Sequence, residues 1–213
     1  MMNPTIPCLS NDQELQRAVV ELVDAAPLFK RVVTDYGPPP LWKREEGFPT
    51  LIRIILEQQV SLASARAAFD KLVAASGELL PERFVRFSDQ KLKTIGFSRQ
   101  KTQYGRALSE AIISSSLDLT TLPEHTDEEV RQKLTAVKGI GVWTANIYLL
   151  MAMGRPDVWP TGDIALAASY ATLNELTERP NNEDMKEIAT EWQPYRSVAA
   201  RLLWHNYLSD KQK

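Results

Sequence analysis

Apolar residues along this 213-residue chain recur at three- and four-residue steps nearly throughout, and no stretch of period-two alternation bounded by turn residues interrupts them. That pattern predicts an all-α fold. Glycine, proline and hydroxyl residues mark where the helices end. Ser10 is read as the cap of a stretch running to Ala25, in which Leu15, Val19, Leu22 and Val23 share a face. Pro27 restarts the chain, Gly37-Pro38-Pro39-Pro40 imposes an extended segment, and Pro49 opens a helix over Thr50–Val60, in the first turn where proline is tolerated. Ser61 caps a helix to Ser76 that stops at Gly77. Pro81–Phe87 and Ser88–Ile95 read as short helices, the second ended by Gly96, and Ser98–Ser114 as a longer one. After a Leu117–Pro123 linker, Thr126-Asp127-Glu128-Glu129 has capping-box spacing and starts a helix to about Val137. Further helices are expected over Trp143–Met153, Ile164–Leu176, Glu183–Trp192 and Tyr195–Ser209, with no repeat at a solenoid period.

Composition narrows the function classes. At 44% hydrophobic and 24% charged residues the chain is of ordinary globular type, long enough for one large domain or two lobes. The longest apolar runs, such as Ile147–Met153, fall short of the roughly 20 residues a bilayer span needs. Asn3, Pro4 and Pro7 stand where a signal sequence would be basic and then apolar, so the expectation is a soluble intracellular protein with no membrane partner. Cys8 is the only cysteine, which removes disulfides, thiolate zinc and four-cysteine clusters. His125 and His205 are the only histidines and are read as surface or packing residues, so no metal held by side chains is expected. A net charge of −2 argues weakly against a nucleic-acid partner. Helix N-termini and a few local cations can nevertheless grip a phosphate backbone in an acidic protein.

The most informative local string is Leu134-Thr135-Ala136-Val137-Lys138-Gly139-Ile140-Gly141-Val142-Trp143-Thr144-Ala145, two helices joined by a turn with glycines two apart. Glycine is needed where a backbone takes positive φ or comes within contact distance of another chain. A helix starting there aims unpaired N–H groups and partial positive charge outward, which suits phosphate, and Lys138 adds a cation. The string resembles the helix-hairpin-helix, with Lys138 standing where many relatives have proline. The resemblance implies that the amides around Gly139, Gly141 and Thr144 clamp a DNA backbone. It also implies Na or K on hairpin carbonyls, as in many members, and no required cofactor.

Twenty residues past Trp143 lies Asp163, in Trp159-Pro160-Thr161-Gly162-Asp163-Ile164, a Pro/Gly loop ending in an acid at a helix start. Hairpin, second helix, loop and aspartate in that order resemble the helix-hairpin-helix–GPD family of DNA glycosylases, and the resemblance spans about Pro49 to Trp204. It implies two helical lobes with an interlobe active-site cleft. Residues 48–154 would form one lobe, with the hairpin motif at about 134–153, and residues 1–47 with 155–213 the other. Asp163 becomes the catalytic residue by carry-over. Breaking an N-glycosidic bond develops positive charge on the sugar, which a fixed carboxylate stabilises.

In bifunctional members the position of Trp143 is a lysine that attacks C1′, so this chain resembles a monofunctional enzyme that leaves an abasic site. Gly139–Asn146 and the string Trp192-Gln193-Pro194-Tyr195-Arg196-Ser197-Val198-Ala199, followed by Leu203-Trp204, are similar to the alkylbase branch, the 3-methyladenine DNA glycosylase II type. There Trp143 and Trp204 correspond to aromatics of the base pocket, whose faces attract a cationic purine such as 3-methyladenine or 7-methylguanine. Ile147 occupies a position where that branch can have a pocket tyrosine, and the neighbouring Tyr148 would point elsewhere. Leu56–Ser61 resembles the loop that fills the hole left by a flipped base, with Gln59 matching the wedge and Gln58 beside it. Ser61, Ser64, Arg99 and Lys101 are further candidates for phosphate contact. The expected partner is double-stranded DNA with a damaged base, met by a monomer in the bacterial cytoplasm or nucleoid or the eukaryotic nucleus. A noncatalytic DNA-binding hairpin module, a helical interaction scaffold and a glycosylase for another damaged base remain open at this point.

Overall fold

The computed structural model describes residues 7–211, so Asn3 and Pro4 lie outside the described residues. Among the described residues the chain forms α-helices, one 3-10 turn and no strand, the all-α class that the apolar spacing predicts. In order these are α1 (Asp12–Ala25), α2 (Leu28–Tyr36), α3 (Phe48–Glu57), α4 (Leu62–Ser76), α5 (Pro81–Phe84), α6 (Asp89–Ile95), α7 (Arg99–Ile113), the 3-10 turn Leu122–Glu124, α8 (Asp127–Thr135), α9 (Val142–Met151), α10 (Ile164–Leu173), α11 (Asn182–Thr190) and α12 (Arg196–Asp210). They divide into two compact units. One takes in both arms of the chain, up to Lys43 and from Leu149 onward; the other is Arg44–Tyr148. No helix among the described residues is long and apolar enough to cross a membrane.

In the first unit α12 is the central element, packed against α1, α2 and α10. Every residue from Ser197 to Trp204 is buried, as befits a helix enclosed on all sides. Arg201 is among them, and its guanidinium donates to Leu150 O at 3.0 Å, near the carbonyl end of α9 where a cation is favoured. Burial pushes the Arg201 pKa down to about 10. The leading arm is fastened by Leu9 N, which donates to Gly154 O at 2.7 Å.

In the Arg44–Tyr148 unit α3 forms the core. Leu51, Ile52, Ile54 and Ile55 are completely buried, each stabilising the fold by roughly 1.5–3 kcal/mol relative to exposure. Helices α4 and α7 pack on α3, and α5 and α6 pack on α7. Gly105 lets α5 approach α7 closely, since a Cβ there would lie 2.5 Å from the Phe84 ring. Tyr148, also fully buried, accepts a hydrogen bond from Gly47 N at 2.8 Å.

Several helix ends differ from the sequence reading. Asn11, not Ser10, caps α1 by accepting from Glu14 N, while Ser10 donates its N–H and hydroxyl to the Glu14 carboxylate. Helix α3 stops at Glu57 rather than Val60, because Gln58 is extended and Gln59 is left-handed at φ +56°. Helix α5 stops at Phe84, after which Arg86 N and Phe87 N bond back three residues and tighten the chain. The caps at Ser61, Ser88 and Ser98 and the Thr126–Glu129 capping box are where the spacing puts them.

Candidate functional site

In the Arg44–Tyr148 unit the turn between α8 and α9 is closed by Val137 N to Leu134 O and Ile140 N to Val137 O, both at 3.1 Å. Its two glycines exist for different reasons. Gly139 has φ +93°, and a Cβ on it would lie 2.0 Å from the Tyr104 ring, so the fold itself demands glycine. Tyr104 is fixed in turn by Gln100, whose amide donates to its hydroxyl at 2.6 Å. Gly141 is exposed, lies outside the left-handed region, and would meet nothing within 4 Å if it had a Cβ. Neither conformation nor packing requires glycine at 141, so its bare backbone favours close approach by something outside the chain. The first intrahelical bond of α9 is Ala145 N to Gly141 O at 3.0 Å, so the amides of Val142, Trp143 and Thr144 form the polar start of the helix. Exposed Lys138 adds a cation beside that start.

The loop between α3 and α4 belongs to the same unit. Gln59 is exposed at its tip in the left-handed conformation, where it can project. Gln58, expected beside Gln59 in the wedge, is turned inward in this structure. Its Nε2 donates to Gly139 O and to Thr144 Oγ1, each at 3.0 Å. Thr144 is buried and its hydroxyl accepts from Gln58. Lys101, a candidate for phosphate contact, donates from its ammonium to Leu56 O at 2.7 Å and caps the carbonyl end of α3. Burial lowers its pKa. Ser61 is exposed and holds the start of α4 by accepting from Ser64 N at 3.2 Å. Arg99 and Ser64 are exposed, Trp143 is half-buried in the first turn of α9, and Ile147 is buried.

In the unit built from both arms, Asp163 is the N-cap of α10. Its Oδ1 accepts from Ala165 N at 3.0 Å and Leu166 N at 3.3 Å, so the helix start holds the carboxylate by one oxygen. The preceding loop is tight: Thr161 N donates to Trp159 O, Asp163 N donates to Pro160 O, and Gly162 has φ +87°. Trp159 anchors that loop edge-on against Trp192 at 5.5 Å, and Trp192 also meets Phe29 and Tyr170. The polar residues of the Trp192–Ala199 string brace the approach to the same loop. Arg196 pairs with Asp157 through both carboxylate oxygens at 2.7 and 2.9 Å, and the Ser197 hydroxyl accepts from Val158 N while donating to Arg155 O.

Trp204 is 8% exposed and meets Trp42 edge-on. Trp42, which the sequence reading did not single out, has a left-handed backbone at φ +47°, a conformation a bulky residue seldom adopts. His205 packs against Trp42 and Tyr36 and bonds the Tyr36 carbonyl at 3.1 Å, the packing role expected of it. His125 lies 3.8 Å from Glu129 at the surface. Among the described residues no cluster of three or more His, Cys, Asp or Glu could hold a metal ion.

Comparison with known proteins agrees with these features. The Bacillus subtilis (strain 168) protein YfjP is 29% identical over 183 residues, which is 82% of this chain, and the chain spans 64% of that longer relative. DNA-3-methyladenine glycosylase 1 of Schizosaccharomyces pombe is 28% identical over 197 residues, covering 89% of this chain and 86% of the relative. The solved structure of fission-yeast 3-methyladenine DNA glycosylase in complex with abasic DNA superposes with a TM-score of 0.81 at 28% identity, over 88% of this chain and 95% of that one. The family model described as HhH-GPD superfamily base excision DNA repair protein matches residues 52–194. With its hairpin glycines, its loop aspartate and that match across most of its length, the chain belongs to the HhH-GPD superfamily of base excision DNA repair proteins.

Proposed function

We propose that this protein is a monofunctional DNA glycosylase that hydrolyses the N-glycosidic bond of flipped-out alkylated purines, with 3-methyladenine and 7-methylguanine as substrates, and leaves an abasic site. The observation that carries the reading is the Asp163 carboxylate, held through Oδ1 at the start of α10 in a chain of the base excision repair family. The relatives named as 3-methyladenine glycosylases support the substrate class.

The chemistry follows from charge. An alkylated purine is already cationic, so when the C1′–N bond breaks the base takes the bonding pair and departs neutral. Positive charge then develops on C1′ and the ring oxygen, which the Asp163 carboxylate stabilises. Water adds at C1′ and gives up a proton to the carboxylate or to solvent. Trp143 stands where a bifunctional enzyme needs an amine, so no Schiff base forms and the strand is not cut. Trp143 and Trp204 are the indoles assigned to the base, Gln59 to the vacated place in the stack, and the amides at Gly139 and Gly141 with Lys138 and Ser61 to the phosphates.

The hairpin carbonyls offer hard oxygen donors that suit Na or K. Val137 O accepts from Ile140 N and Gly139 O from Gln58 Nε2, and a carbonyl oxygen carries two lone pairs. Such an ion would add positive charge near a phosphate, and no side chain is needed to hold it. The protein acts as a monomer on duplex DNA, in the cytoplasm or nucleoid of a bacterium or the nucleus of a eukaryote.

The test is release of methylated purine from alkylated duplex, with the strand intact until alkali is added. Direct cutting that borohydride traps would overturn the monofunctional reading. Binding without release from any lesion would favour a noncatalytic hairpin module.

A further inference from the structure

The α3–α4 loop is tied down at three successive residues, all within the Arg44–Tyr148 unit. Leu56 O accepts from Lys101 Nζ at 2.7 Å. The Glu57 side chain, 7% exposed, is gripped by Arg44 through both oxygens at 2.8 and 2.9 Å and approached by Arg53 at 3.3 Å. Gln58 then reaches 81 residues along the sequence to the hairpin turn and 86 to the first turn of α9. Chemistry fixes how its amide faces. A backbone carbonyl can only accept, so the group opposite Gly139 O is the NH2, and its two hydrogens match its two partners. Glutamate, equal in size, has no hydrogen to give either of them.

We infer that Gln58 is a positioning residue that couples the hairpin to Gln59, so that engagement of phosphate by the turn sets the wedge for base flipping. The inference rests on the glycosylase reading above and adds a mechanical link to it. Gly139 sits in the turn that meets the backbone, and Gln59 follows Gln58 directly in a strained left-handed conformation. Two bonds from Gln58, one to Gly139 O and one to Thr144 Oγ1, hold the neighbouring Gln59 at a set distance from the turn without touching base or sugar.

The test compares the parent with Gln58→Glu and Gln58→Ala on two duplexes, one with 7-methylguanine paired with cytosine and one with the same lesion in a single-base bulge, already extrahelical. Both variants should lose on the order of 10²-fold in single-turnover excision of the paired lesion, the scale of a misplacement of about 1 Å. The variant-to-parent ratio should rise at least tenfold on the bulge, and the isosteric Gln58→Glu should fare no better than Gln58→Ala. Flipping is also read without cleavage, from the fluorescence of 2-aminopurine placed beside the lesion, which both variants should blunt. Equal loss on paired and bulged lesions, or full activity of Gln58→Glu, overturns the coupling. A parent that releases no purine sinks the glycosylase reading instead, and the 2-aminopurine signal then still decides for or against the link.

Discussion

Trp42 meets Trp204 with ring centroids 6.5 Å apart and planes at 70°, while its own backbone is left-handed at φ +47°. Holding an L-residue in that region costs about 1–2 kcal/mol, so the surrounding fold maintains the ring against its local preference. Trp42 packs edge-on against Trp204, the indole assigned to the base, and the interaction of such an indole with a cationic purine is worth roughly 0.5–2 kcal/mol. Replacing Trp42 by glycine should therefore lower single-turnover excision by about 2- to 30-fold. Backbone relief should keep the loss in melting temperature small, and Trp42→Phe should retain most of the activity. Unchanged excision by Trp42→Gly would remove this ring from the site.

The two hairpin glycines should separate stability from binding. Gly139→Ala combines positive φ with a clash on Tyr104 and should cost about 2 kcal/mol or more in urea unfolding. Gly141→Ala meets nothing within the chain, so its melting temperature should match the parent. Its affinity for duplex DNA should fall by about tenfold, the scale of one charge-assisted hydrogen bond. Parental affinity in Gly141→Ala would show that no backbone approaches there.

Alkaline unfolding should report on Tyr148. Burial, the largest cause, pushes its pKa from 10.0 up to about 12, with the Gly47 N–H acting in the opposite direction. The folded state therefore holds the proton more tightly than the unfolded chain. This stability is fully present below about pH 10 and lost as pH rises from 10 to 12. Tyr148→Phe should flatten the fall in urea midpoint across that window. Part of the slope will remain, because burial and the bond to Glu21 raise Tyr195 to about 12 as well. An equally steep fall in the variant would contradict the assignment.

Helix positions were legible because their caps are local: Ser61, Ser88, Ser98 and Thr126 each accept from a backbone amide three residues on. The same locality misplaced one cap, since Ser10 and Asn11 are adjacent residues suited to the role and only the Glu14 carboxylate decides between them. The place of Asp163 at a helix start was legible from its loop. The inward turn of Gln58, the use of Lys101 as a cap and the placing of Trp42 beside Trp204 were not. Each depends on a partner 45 to more than 100 residues away, which no periodicity encodes.

Asp163→Asn isolates the carboxylate from its helix. Asparagine caps as well as aspartate, so Ala165 N and Leu166 N keep an acceptor and unfolding stability should change little. The decisive experiment is single-turnover release of 7-methylguanine by this variant beside the parent, with duplex affinity measured on the same samples. Affinity should stay near the parental value while the release rate falls by at least about 10²-fold, as expected when a preorganised charge is removed from a developing cation. Release at the parental rate by a folded, DNA-binding Asp163→Asn protein would contradict the catalytic role of that carboxylate.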